Sequence, residues 1–398
     1  MAPRVLVTGL GVVSPIGVGV DDYWHGLLHA DSRPEEDISL PPGSMAQRRT
    51  YRVRDRSPAR PVRPGWRGGT ATGFAVRAAE MAMADAGLLG HVDGRSVIGT
   101  SIGNAMGDDV FEVERMGGPP AEGLDAFFFE VAAATGAALD LHGPSLGVST
   151  ACSAGLYSIS LAVEMIQSGQ ADVFVAGGAE AVCRVAMGCF NRLSAIDPVA
   201  CRPFDADRRG TVMGEGAAIL VLESEEHLRR RRGSRVYGQI EGAGWSCDGH
   251  HTTIPEPSGK HALAAARRAL AEASLDAGAI GCVLAHGTGT TQNDQMESLM
   301  LRELFGERAD EVWVCGVKGK LGHGGGAAGA FQCLTAALVL DRGIVPPTGN
   351  VSSVDPSCRV RLDRGHGQAA RVEHVLMNSY AFGGNNISLI MGRASVDI

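Results

Sequence analysis

A chain of 398 residues, 44% hydrophobic and 20% charged, has ample core for a globular protein. It exceeds what one core usually supports, so two domains or one duplicated domain is expected. A net charge of −8 argues against general nucleic-acid binding and leaves room only for a local basic patch.

The nine cysteines include no C-x-x-C pair, so neither a zinc ribbon nor a dithiol redox motif is present. An odd count at irregular spacing suits free thiols in a reducing cytoplasm. No run of about 18 apolar residues occurs, and the apolar start at 5–8 is too short and glycine-interrupted for a signal peptide. A cytoplasmic protein with no membrane span is expected. The 55 glycines predict many tight turns and close helix contacts.

In chain order, residues 5–13 read as a buried first strand. The Gly9-Leu10-Gly11 turn invites a dinucleotide-binding reading, but its third glycine is missing and Pro15 stands where the helix should continue. Residues 31–69, rich in Pro, Arg, Asp and Ser, read as an excursion over the surface. Apolar spacing predicts a helix over 75–86 closed by Gly87, then a strand over 96–101.

Further buried strands are expected over 172–178 and 217–223. The second half repeats the order: a strand over 237–242, a helix over 262–273, and strands over 282–286 and 312–317. A helix over about 327–340 and strands over 374–378 and 387–391 complete it. Helices between apolar strands imply largely parallel sheets covered on both faces, and the recurrence implies a duplication. The boundary falls near 229–234, giving halves 1–233 and 234–398. The run Arg229–Arg232, with Ser224 as a cap and Glu225 and Glu226 in the first turn, fits a solvated helix end; a docking patch for an acidic partner is the other reading.

One stretch carries the chemistry of the first half. Val148-Ser149-Thr150-Ala151-Cys152-Ser153-Ala154-Gly155 places a cysteine among small residues where an apolar run meets a helical pattern. Unpaired N–H groups and the helix dipole at such a turn lower a thiol's pKa, and the thiolate is a nucleophile. A buried core cysteine is the competing reading.

In the second half His286-Gly287-Thr288-Gly289-Thr290 follows a strand, where side chains project into ligand crevices. Asp294 and Glu297 fall on one face of the next helix and read equally as ordinary first-turn acids. Lys318-Gly319-Lys320-Leu321-Gly322-His323 occupies the place that Cys152 has in the first half, and lacks the Walker order. A duplicated fold would bring the two loops together. Asn378-Ser379-Tyr380-Ala381-Phe382-Gly383-Gly384-Asn385-Asn386 is a glycine hinge that could offer N–H donors and a movable Phe382. Residues 204–210 read as a polar loop.

Together T-A-C-S-A-G, H-G-T-G-T, K-x-x-x-G-H, N-S-Y-A-F-G-G-N-N and P-F-D-A-D-R-R-G resemble, in order from Val5 to Met391, the signatures of the elongating β-ketoacyl-ACP synthases. The resemblance implies the thiolase fold, a five-layered αβαβα arrangement of duplicated halves. It also implies a homodimer, or a heterodimer with a chain-length-type subunit. The implied reaction is a decarboxylative Claisen condensation of malonyl-ACP with an acyl group on Cys152. By the same resemblance His286 and His323 stabilise the enolate, and Lys318 orients the histidine loop with Asp294 and Glu297 in its electrostatic network. Cys152 and Phe382 N–H groups form an oxyanion hole, Gly383 and Gly384 belong to the gate, and Thr288 and Thr290 contact pantetheine. Acyl carrier protein is the implied partner; no metal, nucleotide, nucleic acid or membrane is implied, the substrates riding on the carrier's phosphopantetheine.

Gly319, Lys320, Gly324 and Asn385 depart from the family pattern, and Asp108 and Asp109 fall where fatty-acid enzymes place apolar pocket residues. These departures favour a polyketide or polyene substrate slightly over a fatty acid. Two other readings are weighed: a non-catalytic chain-length-type subunit, which would lack Cys152, and a thiolase-like acyl-CoA enzyme, which would want a second cysteine near the C-terminal loop, where Cys358 does not lie. Arg208, Arg209 and Lys320 are candidates for a basic patch that docks the acidic carrier.

Overall fold

The computed structural model describes residues 3–394 except 38–39, 41–42, 44, 56, 58, 60–68, 91–95, 107–128 and 234. Asp108 and Asp109 therefore lie outside the described residues. The first half supplies strands β1 (Val5–Ser14), β2 (Ile98–Gly103), β3 (Ser145–Val148), β4 (Val173–Glu180) and β5 (Gly216–Ser224). The second supplies β6 (Gly238–Cys247), β7 (Ile280–Leu284), β8 (Trp313–Cys315), β9 (Arg361–Leu362), β10 (His374–Tyr380) and β11 (Asn385–Gly392). Their order across the sheet is β9-β8-β7-β10-β11-β6-β1-β5-β4-β2-β3.

Counted outward from the centre, and leaving out the extra edge strand β9, both halves follow one pattern: first strand, fifth, fourth, second, third. The two first strands meet antiparallel, Val5–Val7 against Gly238–Ile240, so the duplicated halves share one hydrogen-bonded network. The expected largely parallel sheet needs one correction. In each half the last strand, β5 or β11, is antiparallel to both neighbours. For β11 the cause is local: only residues 381–384 separate it from β10, and so short a turn can return the chain only antiparallel.

The helices sort into layers by composition. Helix α1 (Thr70–Asp85) covers the outer face of the first half and α3 (Lys260–Glu272) that of the second, beside α4 (Thr291–Phe305). Between the halves run α2 (Ala154–Gln167) and α6 (Ala328–Arg342), the latter buried at every position from Ala328 to Leu340. A helix apolar all round belongs in the interior. The layering is αβαβα, the thiolase fold. No helix of the described residues is long and apolar enough to cross a membrane.

Gly9 and Gly11 lie within β1 and form no phosphate turn; a Cβ there would sit 2.2 Å from the Ala82 oxygen and 1.9 Å from that of Ala78. They let α1 lie against the strand. Residues 31–69 are also more than a surface excursion: Asp37, Tyr51 and Val53 are buried, and Arg52 bridges Asp37 and Glu215 (2.8 Å to the latter). The helix Glu225–Arg230 has the expected Ser224 cap, whose Oγ accepts from His227 N, and Arg231 closes it onto buried Glu223 at 2.6 Å.

Candidate active site

Cys152 stands on a single turn, Ala151–Ser153, between β3 and α2. Ala151 takes a left-handed conformation (φ 51°), which costs a non-glycine residue about 1–2 kcal/mol. Cys152 is 8% exposed, on a cavity of about 320 Å³ that also includes His286, His323, Thr288, Thr290 and Phe382. Its Sγ lies 3.1 Å from His323 Nε2, across 171 residues of sequence. The N–H groups of Phe382 and of Cys152 itself also reach the sulfur.

The expected lowered thiol pKa is not what the site produces. Burial pushes Cys152 up to about 11, against the pull of the Lys318 charge and the two N–H donors. Both histidines are buried, and burial together with Lys318 holds them neutral: His323 falls to about 3 and His286 well below the usual range. Their tautomers follow from their partners. His323 Nδ1 accepts from Gly325 N–H at 3.2 Å, so its proton resides on Nε2, facing the sulfur. His286 Nδ1 faces the Lys318 ammonium at 3.4 Å and Ser379 Oγ at 3.5 Å. Its Nε2 therefore also carries a proton, and both rings offer N–H donors.

Lys318, 1% exposed on α5 (Lys318–Leu321), donates to the carbonyl of His286. Glu297 accepts the N–H groups of His286 and Gly287, each at 2.8 Å. Asp294 accepts from Phe204 N (2.8 Å) and Gly289 N (3.2 Å) and pairs with Arg208 Nε at 3.1 Å. Neither acid is an ordinary first-turn residue: both are fully buried, and burial raises both pKa values. Among the described residues neither pairs directly with Lys318; they brace the loops around it, and their charges reach it through space. Thr288 and Thr290 join hydroxyls at 2.8 Å on the cavity wall.

The gate is compact. Gly383 (φ 82°) and Gly384 (φ 79°) both need the left-handed region, and Gly383 N donates to Thr252 O at 2.8 Å. Phe382 stacks on Phe190 at 5.3 Å, and the Phe190 ring meets His323 edge-on at 6.1 Å. Phe190 escaped the sequence reading, being one aromatic on an unremarked helix, Arg184–Arg192. So did Glu180, which accepts Gly326 N and Ala105 N at 2.8 Å each and seats the loop after His323. An acid closing an otherwise apolar strand was its signal. Ser379, at the end of β10 before the glycine hinge, donates to Cys152 O at 3.2 Å.

Two docking candidates are corrected. Arg208 lies in a buried loop, held by Asp294 and by Asp355 at 2.7 Å, and Lys320, half-buried with Nζ on Ala30 O, faces a cavity other than the one that holds Cys152. Arg209 alone of the three is exposed. Cys358 is buried against Arg208 at 3.4 Å and does not line the cavity.

The fold and this cysteine–histidine site are those of a thiolase-fold acyltransferase. Family models for the N-terminal and C-terminal domains of β-ketoacyl synthase match residues 69–227 and 237–352, and the chain belongs to the β-ketoacyl synthase family. It is 31% identical to the 3-oxoacyl-[acyl-carrier-protein] synthase 2 of Coxiella burnetii, over 98% of each chain. It superposes on the ishigamide ketosynthase/chain length factor with a TM-score of 0.91 and 35% identity, covering 99% of this chain and 100% of that one. A ketosynthase bound to its acyl-carrier protein in a type II polyketide system matches with a TM-score of 0.88 and 28% identity, again over 99% and 100%. The reaction is the ketosynthase condensation of fatty-acid or type II polyketide synthesis.

Proposed function

We propose that this enzyme extends a polyketide or polyene chain, taking both substrates from an acyl carrier protein and needing no metal or other cofactor. The observation that carries the chemistry is the convergence of Cys152 Sγ and two neutral imidazole N–H donors on one cavity. In the loading step the Cys152 sulfur attacks the carrier's acyl thioester, and the N–H groups of Cys152 and Phe382 receive the oxyanion. The departing pantetheine thiolate takes the thiol proton. Malonyl-carrier protein then loses CO₂, and His286 and His323 hold the enolate oxygen through their Nε2 protons. The carbanion attacks the acyl-Cys152 carbonyl, forming the C–C bond and releasing the cysteine sulfur. Lys318 keeps His286 neutral and in register, Asp294 and Glu297 position the loops, Phe382 with Gly383 and Gly384 gates entry, and Thr288 and Thr290 contact pantetheine. The nucleophile belongs to the half 1–233 and both histidines to 234–398.

Support for the polyketide reading comes from the ketosynthase/chain length factor likeness and from Gly319, Lys320, Gly324 and Asn385, which depart from the family pattern. The assembly is a dimer, with itself or with a chain-length-type subunit. The open edge of β3, alternately exposed and half-buried, is where another chain's strand could pair. Acyl transfer read by intact mass tests the whole scheme: wild type gains the acyl group from polyketide-type carrier proteins in preference to saturated ones, and Cys152→Ala gains nothing while remaining folded. Acylation of Cys152→Ala refutes the nucleophile, and a preference for saturated chains refutes the pathway.

A further inference from the structure

Two of the departures from the family pattern, Gly319 and Lys320, help build a second cavity. A Cβ on Gly319 would lie 2.3 Å from the Gly349 oxygen, and one on Gly349 2.7 Å from the Gly319 oxygen. The backbones touch because both residues are glycine. Asn350, left-handed at φ 64°, locks the contact by donating through Nδ2 to Gly319 O at 2.6 Å and Cys201 O at 3.2 Å. Segment 348–352 is thereby clamped against α5. Beside it lies a cavity of about 320 Å³ that shares no lining residue with the one holding Cys152.

Four cations, Arg33, Arg202, Lys320 and Arg364, face this cavity with a single acid, Asp31. Two of them are already paired: Arg202 with buried Asp197 at 2.7 Å, Arg33 with exposed Asp31 at 3.1 Å. Lys320 and Arg364 have no carboxylate within 4.0 Å among the described residues and donate only to the carbonyls of Ala30 and Ser352. Burial disfavours the Lys320 ammonium, which an anion beside it would restore. In a chain of net charge −8, such a concave local excess of positive charge calls for a ligand.

We infer that this second cavity binds a phosphate-type dianion between Lys320 and Arg364, with Arg33 and Arg202 forming its walls. Charge-assisted hydrogen bonds from an ammonium and a guanidinium suit tetrahedral oxyanions. The same chemistry is offered by inorganic phosphate and by the phosphates of coenzyme A, so each is titrated calorimetrically into the full-length protein. Inorganic phosphate should bind saturably with Kd below about 1 mM. Binding should weaken at least about tenfold in Lys320→Gln and in Arg364→Gln, and stay unchanged in the remote control Arg371→Gln. Arg364 is exposed, so its variant folds even if Lys320→Gln does not. Saturable binding of coenzyme A alone, with the same losses, assigns the ester as the source. Absence of saturable binding of either probe overturns the inference, as does binding unmoved in the Lys320→Gln/Arg364→Gln double variant.

Discussion

The Gly325 N–H, 3.2 Å from His323 Nδ1, decides what that ring can do. With Nδ1 occupied as an acceptor, Nε2 is a donor 3.1 Å from Cys152, and the ring is not poised to remove the thiol proton as in Cys–His proteases. His286→Ala and His323→Ala should each slow malonyl decarboxylation at least about a hundredfold, the usual effect of losing one such donor, while acyl loading suffers less. Single-turnover assays of the two half-reactions decide it; a variant that decarboxylates normally but cannot be acylated reverses the assignment. The Cys152 thiol supplies a second prediction. A helix terminus contributes about 0.3–1 kcal/mol toward the thiolate. The rise from 9.0 to about 11 corresponds to about 3 kcal/mol the other way, so burial wins. Iodoacetamide inactivation should then accelerate about tenfold per pH unit between about pH 7 and 9. A rate already level near neutrality would show that the thiolate forms in the resting enzyme.

At the scale of elements, α4 acts as a brace for the two loops before it. Glu297 on its second turn takes two N–H groups from the strand end that carries His286, and Asp294 ties down the loop at 204. Glu297→Gln turns one acceptor into an NH₂ group facing a buried N–H. The expected cost is about 1–3 kcal/mol in urea unfolding, together with slower decarboxylation. Unchanged stability and rate would mean that the loop holds itself. The long strands, and the helices at 70–85 and 328–342, were legible because their apolar runs are buried, β1 and β5 at every position; the helix Arg184–Arg192 was not. The reversed direction of β5 and β11 was not, since a buried strand reads alike in either direction.

Across the whole molecule, catalysis depends on how closely the two interior helices approach. A Cβ on Gly155 would fall 2.7 Å from the Gly326 oxygen, at the crossing that brings Cys152 to His323. Gly155→Ala should cost about 1–3 kcal/mol of stability and slow condensation by separating the two loops. Gly188→Ala, where the nearest atom is 3.9 Å away, is the control. Equal behaviour of the two variants would show that the crossing tolerates a methyl group.

The sequence alone determined which residues stand at the active strand ends. Cys152, His286 and Lys318 each come soon after an apolar run and precede glycines or small residues, and that local pattern encodes a strand-to-loop turn; His323 follows Lys318 by five residues beyond a single helical turn. It also determined the duplication, because periodicity repeats in order. The tertiary structure decided everything that depends on desolvation and on partners distant in the chain. Arg208 reads as a surface cation and is buried between Asp294 and Asp355. Cys152 reads as an activated thiol, yet its environment raises its pKa. Burial and pairing are sums over neighbours from both halves, and no local stretch of the chain contains those neighbours.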